Sequence, residues 1–137
     1  MIHTQLPATP SPYKMTGSCH CGGVKFELER EQGQDLGQLI RCNCSLCSRK
    51  GAVMASVKID RLNVLEGAEL LTLYQWNTGI AKHYFCSRCG IYTHHQRRSV
   101  PDEYGVNVAC ITPAVGIDAQ TIVMVDGASR SVVKEHE

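Results

Sequence analysis

The chain has 137 residues, a formal charge of +1, 43% hydrophobic and 20% charged residues, and an aromatic share of only 6%. Those values fit one domain with an aliphatic core. The basic residues are scattered, which argues against nucleic acid or a membrane surface as partner, and no apolar run approaches the roughly eighteen residues of a membrane span.

Taken from the start, residues 1–14 fall within MIHTQLPATPSPYKM, a stretch with three prolines and no long apolar run. It does not read as a secretory signal, and a loose leader is expected. Without an export signal the expected compartment is cytoplasmic, where thiols stay reduced. A single domain is expected over residues 15–128, with a fraying tail at 129–137.

From Gly17 onward the apolar segments are short and punctuated by glycine. Val24, Phe26 and Leu28 alternate with Lys25, Glu27 and Glu29, the period of a half-buried strand. Further strands are expected at 38–42, 52–59, 70–76, 81–85, 91–95, 104–111 and 122–125. A short helical turn is expected at Ser45 to Lys50. Strands of this length separated by turns point to a mainly β, antiparallel architecture.

Eight cysteines form three clusters and a singleton: Cys19 and Cys21; Cys42, Cys44 and Cys47; Cys86 and Cys89; and Cys110. In an extended segment residues i and i+2 face the same way, so Cys19 and Cys21 make a two-toothed half-site. Gly22, Gly23 and Gly90 follow the outer pairs, permitting tight turns whose N–H groups point at sulfur. Closed zinc sites commonly take two ligands from each of two half-sites. Cys19, Cys21, Cys86 and Cys89 make such a set, whereas Cys42, Cys44 and Cys47 leave one coordination position open. The alternative is that Cys110 closes the triplet as a fourth thiolate; otherwise it reads as a buried thiol acting as a small hydrophobe. A disulfide framework would require export.

His94 and His95 are adjacent, so in a strand they face opposite ways, and each reads as a strand or surface histidine. Arg41, Arg49, Lys50, Arg97 and Arg98 flank the clusters and read as solvated surface charges. No spacing singles out a proton-transfer residue among Tyr74, Tyr92, His94 and His95.

GSCHCGGVKFE, RCNCSLCSRKG and HYFCSRCGIYTHH, taken together, resemble the glutathione-dependent formaldehyde-activating enzyme family, whose domain is shared with centromere protein V. All three cysteine clusters match in type and order. The resemblance implies a β-tent fold carrying two Zn²⁺ ions per chain. It assigns a structural zinc to Cys19, Cys21, Cys86 and Cys89 and a catalytic zinc to Cys42, Cys44 and Cys47. The implied activity is that of a carbon–sulfur lyase acting on a small-molecule thiol and an aldehyde, as in S-hydroxymethylglutathione formation from glutathione and formaldehyde. The alternative is a non-catalytic zinc module for protein or nucleic-acid interaction, which needs a closed site and has no use for an open one.

Overall fold

A computed structural model describes residues 13–30, 36–112 and 116–132. Most of the expected leader, and the tail beyond Val132, lie outside the described residues. The elements in chain order are β1 (Tyr13–Ser18), β2 (Lys25–Arg30), β3 (Leu39–Cys42), α1 (Ser45–Lys50), β4 (Met54–Lys58), β5 (Leu62–Glu66), β6 (Leu71–Tyr74), β7 (Lys82–Cys86), β8 (Tyr92–Gln96), β9 (Glu103–Asn107), β10 (Ile111–Thr112) and β11 (Val123–Val125). They form one mainly β domain of two open sheets, β10-β1-β2-β5 and β11-β3-β4-β9-β8-β7-β6.

Three features depart from the expected strand pattern. Two strands, β1 and β5, occupy segments where none was anticipated. The strand expected at 104–111 is broken by a 3-10 turn, Val108–Cys110, because the Asn107 side chain accepts the Ala109 N–H at 3.1 Å and bends the chain. The continuation, β10, then crosses into the smaller sheet. Finally, β11 pairs with β3 in parallel, Val125 opposite Cys42, within otherwise antiparallel sheets. At the C-terminal end of the described residues, Asn77 Oδ1 accepts the Val132 N–H at 2.9 Å.

The larger sheet has two chemically distinct faces. Register places Ile40 opposite Met54, Ser56 opposite Gly105, Gly105 opposite His95 and His95 opposite His83. These alternate positions share one face. Leu39, Ala55, Val57 and Val106 point the other way and pack with Phe26 and Leu28 of the smaller sheet into the main core. A small second cluster, Cys19, Val24 and Cys86 with Leu70, Leu71 and Cys89 against it, holds the opposite end. No helix among the described residues is long and apolar enough to cross a membrane.

Candidate functional site

The outer half-sites meet at the small apolar cluster. Cys19 and Cys21 lie on the turn after β1, Cys86 ends β7, and Cys89 completes the knuckle before β8. Their four sulfurs lie within 4.8 Å of one another. Cys19 and Cys21 Sγ are 3.6 Å apart, and Cys21 and Cys86 Sγ are 3.8 Å apart. A tetrahedron with metal–sulfur bonds of about 2.3 Å has sulfur–sulfur edges of about 3.8 Å, so the donor set fits a thiolate-bound divalent ion. All eight cysteines are free thiols, so no disulfide framework is present.

The glycines do what such knuckles need. Gly22 and Gly90 sit at φ +78° and +79°, a region that disfavours other residues. The turns aim N–H groups at sulfur: Val24 donates to Cys19 Sγ at 3.3 Å, Gly23 to Cys21 Sγ at 3.4 Å and Arg88 to Cys86 Sγ at 3.4 Å. The Gly23 N–H, and next the Arg88 guanidinium, pull the Cys21 thiol down to about 6. These donors orient the sulfurs, and at Cys21 they favour the charged form that a metal would take.

The triplet is built differently. Cys42 ends β3, Cys44 is the N-cap of α1, and Cys47 lies in the first turn of that helix. Cys44 Sγ accepts the Cys47 N–H at 3.3 Å, standing where a serine or aspartate oxygen usually caps. This capping geometry is why the C-x-x-C spacing turns both sulfurs toward the helix start. The three sulfurs also lie within 4.8 Å of one another. Crowding divides their acidity: S–H donation from Cys44 and Cys47 pulls Cys42 well down, while the hydrogen bonds to Cys42 and Cys44, with burial, push Cys47 far up. All three could be ionised together only with a cation among them, and the group is able to hold one.

A loop closes over these sulfurs. Asn43 donates its backbone N–H to Val125 O at 3.1 Å and its side-chain amide to Asp126 Oδ1 at 3.1 Å. Its Oδ1 accepts the Ala128 N–H at 2.8 Å. Gly127 is thereby pressed against the triplet, where a Cβ would overlap Cys42 Sγ.

The triplet lies in the wall of a cavity of about 230 Å³. Ile40, Met54, Trp76 and Ile80 provide apolar lining, and His83 and His95 come from the polar-bearing face of the larger sheet. Arg97, Arg98 and Arg130 line it as well, with Arg97 held by Glu103 Oε1 at 2.8 Å and Ser56 Oγ at 3.0 Å. None of Cys19, Cys21, Cys86 or Cys89 borders this space.

Several expectations are resolved by these positions. Cys110 is buried in the main core with its thiol 3.6 Å from Tyr92 O, and it is not among the grouped sulfurs. The alternative in which it closes the triplet is overturned. His94 and His95 do face opposite ways: His94 stacks on Tyr84 toward the core, and His95 stacks on His83 toward the cavity. Arg41 and Arg49 are exposed as expected. Lys50 and Arg97 are not solvated surface charges: Lys50 Nζ lies 2.8 Å from His83 Nδ1 and 3.7 Å above the Tyr92 ring, and Arg97 is ion-paired.

Sequence reasoning passed over His83. Its signal was parity: within 81–85 it shares a face with Ala81 and Phe85, so a polar group occupies an inward position. Burial, then the Lys50 charge, depresses its pKa to about 3. Burial also pushes His95 well below the usual histidine range and the Tyr92 phenol well above its own.

Fold and site together define a mainly β domain with two cysteine clusters able to hold metal ions. The chain matches the family described as "Glutathione-dependent formaldehyde-activating enzyme" over residues 14–125, and it belongs to that family. A Halomonas elongata protein named as a candidate glutathione-dependent formaldehyde-activating enzyme is 34% identical over 84 residues, covering 55% of this chain and 51% of that protein. The chain thus spans about half the length of that curated relative. A solved structure of a Rhodobacter sphaeroides protein is 51% identical, with a TM-score of 0.67, covering 77% of this chain and 93% of the other.

Proposed function

We propose that this chain is a zinc-dependent carbon–sulfur lyase-type enzyme that forms and cleaves adducts between a small thiol, of the glutathione type, and an aldehyde. In this reading Cys19, Cys21, Cys86 and Cys89 hold a structural zinc. Cys42, Cys44 and Cys47 are the ligands of a catalytic zinc, giving two Zn²⁺ per chain. The observation that carries it is the division of the sulfurs: the set of four is away from the cavity, and the set of three lines it. A non-catalytic binding module has no need of the second arrangement.

Zinc at the triplet would supply Lewis acidity, lowering the pKa of an incoming thiol or polarising a carbonyl oxygen. Cys42, Cys44 and Cys47, which line the cavity, would hold it. Ile40, Met54, Trp76 and Ile80 limit water around the reacting carbon, which strengthens every polar contact there. Arg98 and Arg130 offer cationic partners for a substrate carboxylate. In the synthetic direction the thiol sulfur bonds to the carbonyl carbon, the π pair moves to oxygen, and the thiol proton ends on that oxygen. A reducing cytoplasmic setting belongs to the same reading, since it keeps the free thiols competent for metal.

Metal analysis and adduct turnover on wild type and Cys44→Ser test the proposal together. Two zinc ions per wild-type chain, one per variant chain, and turnover lost only in the variant are expected. Equal metal content in both proteins, or no turnover of any thiol–aldehyde adduct by the zinc-loaded wild type, would overturn it.

A further inference from the structure

Four polar side chains make a contiguous group beside the triplet. Lys50, the last residue of α1, places Nζ 2.8 Å from His83 Nδ1 and 3.7 Å over the Tyr92 ring. The His83 ring stacks on His95 at 5.0 Å with 15° between planes, and Tyr92 Oη lies 2.6 Å from His95 Nδ1. Burial lowers the Lys50 amine to about 8, which leaves it mainly charged at neutral pH. A lysine ammonium has donors and no acceptor, so with Lys50 charged Nδ1 accepts, and the single proton of a neutral imidazole sits on Nε2. Burial and the adjacent cation both keep this ring neutral.

His83 is only 5% exposed, and among the described residues its Nε2 has no hydrogen-bond partner. A buried donor left unpaired is costly, so such a group invites a ligand atom. His83 borders the same cavity as the three sulfurs.

The geometry points to His83 as the group that donates, through Nε2–H, to the oxygen of an aldehyde or of its thiol adduct in the cavity, with Lys50 as the positioning residue that holds the imidazole in that tautomer. The inference rests on the proposed function and deepens it. As the carbon–sulfur bond forms, negative charge builds on the former carbonyl oxygen, and a fixed N–H donor stabilises that charge. The proton that completes the hydroxyl is the one released by the thiol, so His83 ends the step as it began. Oxyanion donors of this kind act on the transition state more than on the ground state, so their loss falls on kcat.

Two readouts test this in the zinc-loaded protein. Long-range ¹H–¹⁵N correlation of the imidazoles is expected to show His83 as the Nε2–H tautomer in wild type, to lose that preference in Lys50→Met and to keep it in Lys50→Arg. In turnover, His83→Phe is expected to lower kcat by about 100-fold or more while leaving KM within about threefold. Lys50→Met should lower kcat by about tenfold, with Lys50→Arg restoring most of it. Where His83→Phe fails to fold, His83→Gln, which keeps an N–H donor, carries the test by retaining more activity than Lys50→Met does. Wild-type turnover with His83 protonated on Nδ1, or a tautomer indifferent to Lys50→Met, overturns the inference and leaves the substrate reading standing. An Nε2–H tautomer that depends on Lys50 in a protein turning over no adduct supports the lock and overturns the substrate reading.

Discussion

Replacing Cys86 by serine removes one corner of the four-sulfur set at its most enclosed point, since Cys86 is 0% exposed. The apolar contacts that remain at this end are few: Val24 fully buried, with Leu70 and Leu71 partly so. At about 25 cal/mol per Å² these side chains contribute about 4 kcal/mol. A structural zinc held by thiolates contributes about 10–16 kcal/mol of apparent binding free energy, against a net domain stability of about 5–15 kcal/mol. An ion bound at this site would therefore outweigh the packing around it, and Cys86→Ser should yield no soluble folded chain. Cys44→Ser should behave differently. Its site lies at the cavity, and a serine hydroxyl at the N-cap of α1 accepts the Cys47 N–H as well as sulfur does. That variant should melt within about 5 °C of wild type, a shift of roughly 1 kcal/mol for a chain of this size. Far-UV circular dichroism melts and soluble yield for Cys86→Ser, Cys44→Ser and wild type decide the matter. Equal collapse of both variants, or a stable Cys86→Ser protein, would refute the division into a fold-determining and a cavity-facing site.

Gly127→Ala should strip the triplet of metal without unfolding the chain, because the added methyl overlaps Cys42 Sγ while φ at −72° suits any residue; metal per chain falling from two to one checks it, and an unchanged content contradicts it. Cys110→Ala should leave metal content unchanged and cost about 1 kcal/mol in urea unfolding, the loss of a small buried group from the main core. His94 titrates near 4 in the folded chain because it is buried, against about 6.5 unfolded, so the unfolded state binds more protons below that value. Stability from this group is therefore intact above pH 6.5 and lost as pH falls toward 4. Between pH 7.5 and 5.5 wild type should lose about 1.4 kcal/mol more than His94→Gln in urea melts at saturating zinc. Identical pH profiles for the two proteins would remove the burial argument.

The elements that were legible in advance are those whose signal is local. VKFELE declares its inward face by alternation, and the segment from Ser45 to Lys50 is bounded by a capping cysteine and by Gly51 at φ +65°. The missed strands carry weaker signals. In β5 the exposed Leu65 breaks the alternation, and β1 emerges from a proline-rich stretch; both are strands because β2 lies between them and pairs with each. The break at Val108–Cys110 depends on one side-chain cap within a run whose composition reads as continuous strand.

The cysteine spacings, each a matter of two or three residues, determined by themselves which sulfurs travel together, because strand and helix-cap geometry act over that range. Whether the distant pairs would meet, and whether Cys110 would join the triplet, was decided only when the sheets closed and carried Cys110 into the core. The same holds for the group around His83. Lys50, His83, Tyr92 and His95 come from a helix and two strands, and no local pattern connects them. Their contacts exist because strand register puts His83 beside His95 on one face of the larger sheet, and α1 ends where its lysine reaches the pair.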